Sequence, residues 1–180
     1  MHNLDSEPDM IATFRSEFAR CNTYLNGVLD QIDDDTLNRL PVEGGNSIAM
    51  LVRHLYGNIR SRFTDFLDSD GEKSWREREN EFARVAIDEP EARRLWAEAW
   101  DLLDETLASL KDEDLDREVV IRGQVLTVRA ALLRSLAHIS YHVGQMVVMA
   151  RAGVADSWSF MSIPLGGTAA YNQNPTKERG

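Results

Sequence analysis

The sequence predicts an all-α protein, a four-helix bundle with a small β-hairpin before its last helix. Four segments, each of about twenty residues, repeat apolar residues at intervals of three and four, the spacing of one buried helix face. A short stretch near residue 122 instead carries two β-branched runs around a turn. The 180 residues suffice for a single domain, spanning 1–180, with a sizeable core.

A single apolar stripe near the N-terminus predicts the first helix. Its members are Ile11, Phe14, Phe18, Cys21, Leu25, Val28 and Ile32. An acidic cluster at 33–35 follows, and then Pro41, Gly44 and Gly45. We expect these residues to end the helix and begin a loop, because proline and glycine interrupt helical periodicity.

The second helix is expected to start at Asn46 or Ser47, since either side chain can cap the free amides of a first turn. Its stripe comprises Ile48, Leu51, Val52, Leu55, Ile59, Phe63 and Phe66. Asp70 and Gly71 are expected to close it. The charged, irregular segment 72–88 is predicted to be a long connection with a short helix, as bundle crossovers often require.

Pro90 predicts the start of the third helix, after Asp88, because the missing amide of proline is not needed in a first turn. The buried face of this helix comprises Ala92, Leu95, Trp96, Ala99, Leu102, Leu103 and Leu110. Within 118–127, two β-branched and apolar runs flank Arg122 and Gly123, which predicts a small hairpin.

The fourth helix is predicted to run from Thr127 to Arg151, with Gly153 as its stop. It is the most apolar of the four, so we expect it to be the most buried. The tail, residues 154–180, is expected to be partly irregular, because Pro164, Gly166 and further glycine and proline residues interrupt it.

Charge and cysteine content exclude several classes of function. The formal net charge of −10, without a basic stripe, argues against a nucleic-acid partner. The sequence has no uninterrupted run of about eighteen apolar residues, so no membrane-spanning helix is expected. Residues 1–8 lack the basic and apolar regions of a signal peptide. Cys21 is the only cysteine, which excludes an intrachain disulfide and fits a cytoplasmic location.

Three of the four histidines fall on predicted helices. His138 and His142 are four residues apart, so their side chains lie one above the other on one face of the fourth helix. His54 lies near the middle of the second helix. If the two helices are neighbours, three imidazoles can converge on one zinc, nickel or iron ion and leave open positions. The alternative is that each histidine is an ordinary core or surface residue.

The residues around the histidines exclude two familiar metal chemistries. Ile139 follows His138, so the glutamate of the helical zinc-protease motif is absent. Leu51, Ser135 and Ile139 precede the three histidines by three positions, so the Glu-x-x-His pattern of di-iron bundles is absent as well. A mononuclear site remains.

The chain resembles the DinB/YfiT-like metalloenzymes over nearly its whole length. The resemblance is carried by the segments 46–55, 57–58, 61–67, 70–73 and 137–145, and by the tail at 162–166 and 171–172. His54 and the pair His138 and His142 match the metal-ligand positions of that family. The resemblance implies an up-down-down-up four-helix bundle, a homodimer, and one divalent metal per chain, with zinc or nickel favoured.

The resemblance also suggests a reaction, because the family includes thiol-dependent S-transferases and an isomerase in which the metal activates a thiol. A metal held by three imidazoles can activate a low-molecular-weight thiol or a water molecule. We therefore expect a small-molecule enzyme, an S-transferase or alternatively a hydrolase. A third hypothesis is a non-catalytic dimeric metal-binding or stress-response module.

Other polar residues are weaker candidates for the site. Asn58, Tyr141 and Gln145 lie close to the histidines in sequence and could orient a ligand or a metal-bound imidazole. Two further hypotheses concern charged groups near the same helix. Arg60, Arg62 and Lys73 could receive an anionic substrate, and Asp65 could act as a base, although exposed charges are more often simply solvated.

Overall fold

The computed structural model describes residues 9–176, which are mostly helical and include a two-stranded antiparallel hairpin before the last long helix. Both features confirm the prediction. The helices are α1 (Met10–Leu29), α2 (Asp34–Asn38), α3 (Ile48–Phe63), α4 (Arg78–Glu81), α5 (Glu89–Ser109), α6 (Val128–Val154) and α7 (Thr168–Tyr171), and the strands are β1 (Glu118–Ile121) and β2 (Gln124–Thr127). The segment predicted not to be a signal peptide, 1–8, lies outside the described residues, as do the last four residues of the tail.

Short polar side chains start the long helices, as the sequence indicates. Each accepts a hydrogen bond from a backbone amide three residues later, which satisfies one of the free donors of the first turn. These caps are Asp9 for α1, Ser47 for α3, Asp88 for α5 and Thr127 for α6. Of the two starts predicted for the second helix, Ser47 is therefore the capping residue.

Side-chain contacts fix the relative directions of α1, α3, α5 and α6. Early residues of α1 contact late residues of α5, so these two helices are antiparallel. Contacts between α3 and α5 follow the same order in both helices, so these two are parallel. The contacting pairs are Arg15–Asp104 and Asn22–Trp96 for α1 and α5, and Tyr56–Glu98 and Phe63–Thr106 for α3 and α5. Cys21 of α1 contacts Ser140, and Gln31 contacts Ser159 beyond α6, so α1 and α6 are parallel.

The buried apolar residues of these four helices form one continuous core. Its most buried member is α3, with ten of sixteen residues buried, against eight of twenty-seven for α6. The expectation that the fourth helix is the most buried is therefore wrong. The apolar residues of α6 surround the whole helix, and several of them, including Leu133 and Val148, are exposed.

The second predicted helix ends earlier than its apolar stripe. The helix stops at Phe63, and Asp65 adopts a positive φ of 49°, which cannot continue a right-handed helix. Phe66 is still buried, because the turn after the helix brings its ring to 5.3 Å from that of Phe63. Phe66 therefore continues the three- and four-residue apolar spacing of the helix although it lies beyond its end.

Two further boundaries differ from the prediction. Helix α1 ends at Leu29, before the acidic cluster, and Asp33 instead caps the short helix α2 by accepting from the amide of Thr36. Gly153 does not stop α6, which continues to Val154 and ends where Ala155 takes a φ of 49°. An added Cβ at Gly153 would lie 2.4 Å from the Thr36 side chain, so this glycine allows α2 to approach.

The hairpin is held against the loop that follows α3. Arg122 and Gly123 form its two-residue turn, both with positive φ, and their amides donate to the carboxylate of Asp70. This contact brings the hairpin turn beside α3. Among the helices of residues 9–176, none combines the length and the apolar character of a membrane span.

Candidate metal centre

The three predicted histidines meet between α3 and α6. His54 projects from α3, and His138 and His142 project from adjacent turns of α6, so that one nitrogen of each lies within 4.8 Å of the other two. The Nε2 atoms of His54 and His138 are 3.1 Å apart. Two nitrogen lone pairs at this distance repel each other unless a proton or a cation lies between them.

The short helix α4 supplies an acidic partner for His54. The buried Glu81 carboxylate accepts a hydrogen bond from His54 Nδ1 at 2.8 Å. Because a carboxylate only accepts, Nδ1 of His54 carries a proton, and Nε2 is the nitrogen that lies toward the other histidines. The Nε and Nη2 atoms of Arg76 donate to the same carboxylate at 2.8 and 3.0 Å.

Three contacts hold α4 close to α3. Gly57 leaves space for Glu81, since an added Cβ would lie 2.2 Å from Glu81 Oε1. The guanidinium of Arg53 donates to the carbonyl of Ala83 just after α4. The ring of Phe82 packs on the imidazole of His54, with centroids 4.8 Å apart. Glu81 therefore holds His54 at its Nδ1 edge and Phe82 holds it at one face.

The histidines of α6 have weaker partners. His142 Nδ1 lies 2.8 Å from Gln145 Oε1, an amide acceptor that also favours the proton on Nδ1. Tyr141 is largely exposed, and its ring lies 5.0 Å from that of His142. His138 Nδ1 is buried and has no hydrogen-bond partner among the described residues. Of the candidates that flank the pair, Gln145 thus contacts an imidazole nitrogen and Tyr141 contacts only a ring face.

Burial keeps the imidazoles of α6 neutral at physiological pH. Desolvation, helped by the neighbouring His142 and His54, lowers the pKa of His138 to about 4. Desolvation also lowers the pKa of His142. Burial would raise the pKa of Glu81, but its hydrogen bonds to His54 and Arg76 outweigh that effect and hold the pKa below its ordinary value.

These residues fit a divalent transition metal. Neutral imidazole is the form that binds such ions, and partners on Nδ1 of His54 and His142 direct Nε2 toward the shared space. The separation of 3.1 Å between Nε2 of His54 and Nε2 of His138 is close to that of two nitrogens on one tetrahedral zinc, about 3.3 Å. Three histidines so arranged could hold one metal ion.

A cavity of about 440 Å³ opens beside the histidines. It is lined by the three histidines, the amides of Asn46 and Asn58, five arginines, and Phe82, Ile121 and Ser135. The arginines are Arg62, Arg76, Arg78, Arg122 and Arg134. No carboxylate belongs to this lining within the described part of the chain.

Only some of the weaker candidates lie at the cavity. Asn58 and Arg62 line the cavity. Arg60 instead packs on the rings of Tyr56 and Trp75, and Lys73 donates to Ser69 and to the Asp70 carbonyl, so neither lines it. Asp65 lies beyond the end of α3, outside the cavity, because the helix stops two residues before it.

Sequence reasoning missed Glu81 and four of the five lining arginines, Arg76 among them. Glu81 and Arg76 belong to the irregular connection between α3 and α5, where no periodicity shows which charges face inward. Arg134 could have been predicted, because it precedes His138 by four residues and so shares its helix face.

Comparison with known proteins gives a family but no function. A family model described as a protein of unknown function, DUF1572, matches residues 6–167. DUF1572 is a DinB-like family, which agrees with the resemblance noted in the sequence. No curated protein matches the chain.

Proposed function

The chain belongs to the DUF1572 family, and we propose that it is a metal-dependent S-transferase that uses a low-molecular-weight thiol as its nucleophile. In this proposal His54, His138 and His142 hold one zinc or nickel ion. One observation carries it: three imidazoles converge at the edge of an open cavity whose described lining has five arginines and no carboxylate.

The open cavity supports a catalytic centre over a structural one. Structural zinc sites use four protein ligands, whereas three histidines leave room for substrate. When bound, a divalent ion supplies a Lewis acid that lowers the pKa of a coordinated thiol, so that the nucleophilic form is present near neutral pH. The cavity of about 440 Å³ would admit a small thiol. A non-catalytic metal-binding module has less support for this reason.

The protein's own residues would prepare this chemistry. Glu81 holds the Nδ1 proton of His54, which keeps Nε2 available as a ligand. Gln145 does the same for His142. The guanidinium groups of the lining would stabilise negative charge in the cavity, where a thiolate needs it.

The reacting thiol would come from the substrate. Cys21, the single cysteine, lines a different cavity between α1 and α6, where its Sγ lies 3.3 Å from Ser140 Oγ. Burial raises the pKa of the Cys21 thiol, which disfavours the thiolate. Hydrolysis, the alternative reaction, has less support, because no described carboxylate lines the histidine cavity to act as a general base.

The fold and assembly belong to the same proposal. The directions of the four long helices support an up-down-down-up four-helix bundle, since α1 and α6 run parallel and α3 and α5 run opposite to α1. The homodimer and the cytoplasmic location stay predictions. Sedimentation of the purified chain would test the first.

Thiol binding to cobalt-loaded protein tests the reaction. Cobalt(II) replaces zinc at nitrogen sites and gives visible and near-ultraviolet bands that report its ligands. We expect 2-mercaptoethanol to produce a new near-ultraviolet sulfur-to-cobalt band, which Cys21→Ser retains and His138→Ala lacks. Loaded protein that shows no band with thiols, yet hydrolyses an activated ester with a rate that rises through a pKa, would favour the hydrolase instead.

A further inference from the structure

The histidine cavity is positively charged within an acidic protein. The chain has a formal net charge of −10, yet five arginines line this one space. Four of them have carboxylate partners that do not belong to the lining: Glu72 pairs with Arg62 and Arg122, Glu81 with Arg76, and Glu79 with Arg78. Three carboxylates thus face five guanidinium groups, and the excess positive charge acts on the cavity.

Arg76 has an unused donor in this lining. Its side chain is only 2% exposed, and Nε and Nη2 are occupied by Glu81. Nη1 is buried without a hydrogen-bond partner among the described residues. A buried guanidinium nitrogen without an acceptor is costly, so this group is suited to a ligand that brings one.

Arg134 provides a charge without a counter-ion. It precedes His138 by four residues on α6 and lines the same cavity. Within residues 9–176 it forms no ion pair. Arg129, five residues earlier on the helix, is instead paired with Asp116 and lies outside the cavity.

We propose that this cavity is an anion-binding site, and that the substrate reaching the three histidines carries a carboxylate or phosphate group held by Arg134 and Arg76. The guanidinium of Arg134 can form two parallel hydrogen bonds to either group, and the free Nη1 of Arg76 can donate to it as well. The cavity volume of about 440 Å³ fits a small molecule. This inference rests on the proposed function, because it names the substrate class of the same site.

Titration of the metal-free full-length chain with two dianions tests the inference. Succinate and inorganic phosphate are titrated calorimetrically at constant ionic strength, and metal is left out because it would bind either anion itself. We expect saturable binding of at least one dianion. Tighter succinate binding would indicate a carboxylate-bearing substrate, and tighter phosphate binding a phosphate-bearing one.

Two variants on the same helix make the test specific. Arg134→Gln should weaken binding about tenfold, the cost of one charge-assisted hydrogen bond, whereas Arg129→Gln should bind as the wild type does. Absence of saturable binding, or equal losses in the two variants, would overturn the inference. Anion binding without metal binding would refute the proposed function alone, and metal binding without anion binding would refute this inference alone.

Discussion

The two sides of the histidine site are built differently. On the α3 side, His54 is buried, donates to a carboxylate that Arg76 holds through two bonds, and lies against the ring of Phe82. On the α6 side, His142 is half-buried and has an amide partner, and His138 Nδ1 has none in the described chain.

The difference lies in the hydrogen-bond partner of each imidazole, which is charged for His54 and neutral or absent for the two histidines of α6. A carboxylate partner raises the basicity of an imidazole and fixes its tautomer more strongly than a neutral amide does. His54 is thus held by stronger partners than His138 and His142. We expect perturbations on the α3 side to cost more than equivalent ones on the α6 side.

Removal of the buried carboxylate should have the largest effect. Glu81→Ala leaves Arg76 as a buried charge without a partner, which typically costs about 3–5 kcal/mol. Glu79→Ala is the matched control, because that neighbouring glutamate is 90% exposed and should change stability by less than about 0.5 kcal/mol. Urea unfolding of the metal-free proteins measures both. Equal, small losses would contradict a fixed α3 side.

Metal affinity should show the same asymmetry. Glu81→Gln keeps the shape of the side chain but removes its charge, and should weaken metal binding about 100-fold, the upper end for a partner of a ligand histidine. Gln145→Ala removes only a neutral acceptor and should cost about tenfold. Competition with a chromophoric zinc chelator gives both constants. A greater loss in Gln145→Ala would reverse the comparison.

Two glycines offer a smaller, sterically defined test. Gly57→Ala would place a Cβ 2.2 Å from Glu81 Oε1, whereas at Gly144 of α6 an added Cβ meets nothing within 4 Å. Gly57→Ala should therefore lower stability by about 1–2 kcal/mol despite the better helix propensity of alanine. Gly144→Ala should raise it by up to about 1 kcal/mol. Thermal unfolding of both variants is the measurement, and stabilisation by Gly57→Ala would show that Glu81 is not held there.

The acid response of the α6 side gives a pH-dependent test of the same comparison. The pKa of His138 falls from 6.5 to about 4 on folding, so the unfolded chain takes up this proton first. Its contribution to stability is complete above about pH 6.5 and is lost as the pH falls toward 4. In urea unfolding, metal-free His138→Gln should depend less steeply on pH across this window than the wild type. An unchanged slope would mean that His138 is not desolvated.

Local patterns predicted the helices and the cluster of histidines because those features depend largely on short spacings. The capping residues Ser47, Asp88 and Thr127 announce helix starts, and the four-residue spacing of His138 and His142 places them together on any helix. His54 required the further assumption that two helices are neighbours, which the contact with His138 confirms.

Features that depend on distant contacts were not predictable. Glu81 reaches His54 only because α4 folds back on Gly57, and nothing in the segment 72–88 announces that approach. The early end of α3 depends on the backbone of Asp65, while the buried Phe66 continued the apolar pattern. Glycine often ends a helix, but Gly153 lies within α6 and leaves the space in which α2 packs.

The metal content of the purified chain tests the central claim most directly. Tag-free protein is dialysed after zinc or nickel loading and analysed by elemental mass spectrometry, alongside His138→Ala and a control, His2→Ala, which removes the remaining histidine of the sequence. The account predicts about one ion per chain in the wild type and the control, and loss of the ion in His138→Ala. Wild-type protein that binds no ion under these conditions, or His138→Ala that still binds one, would contradict it.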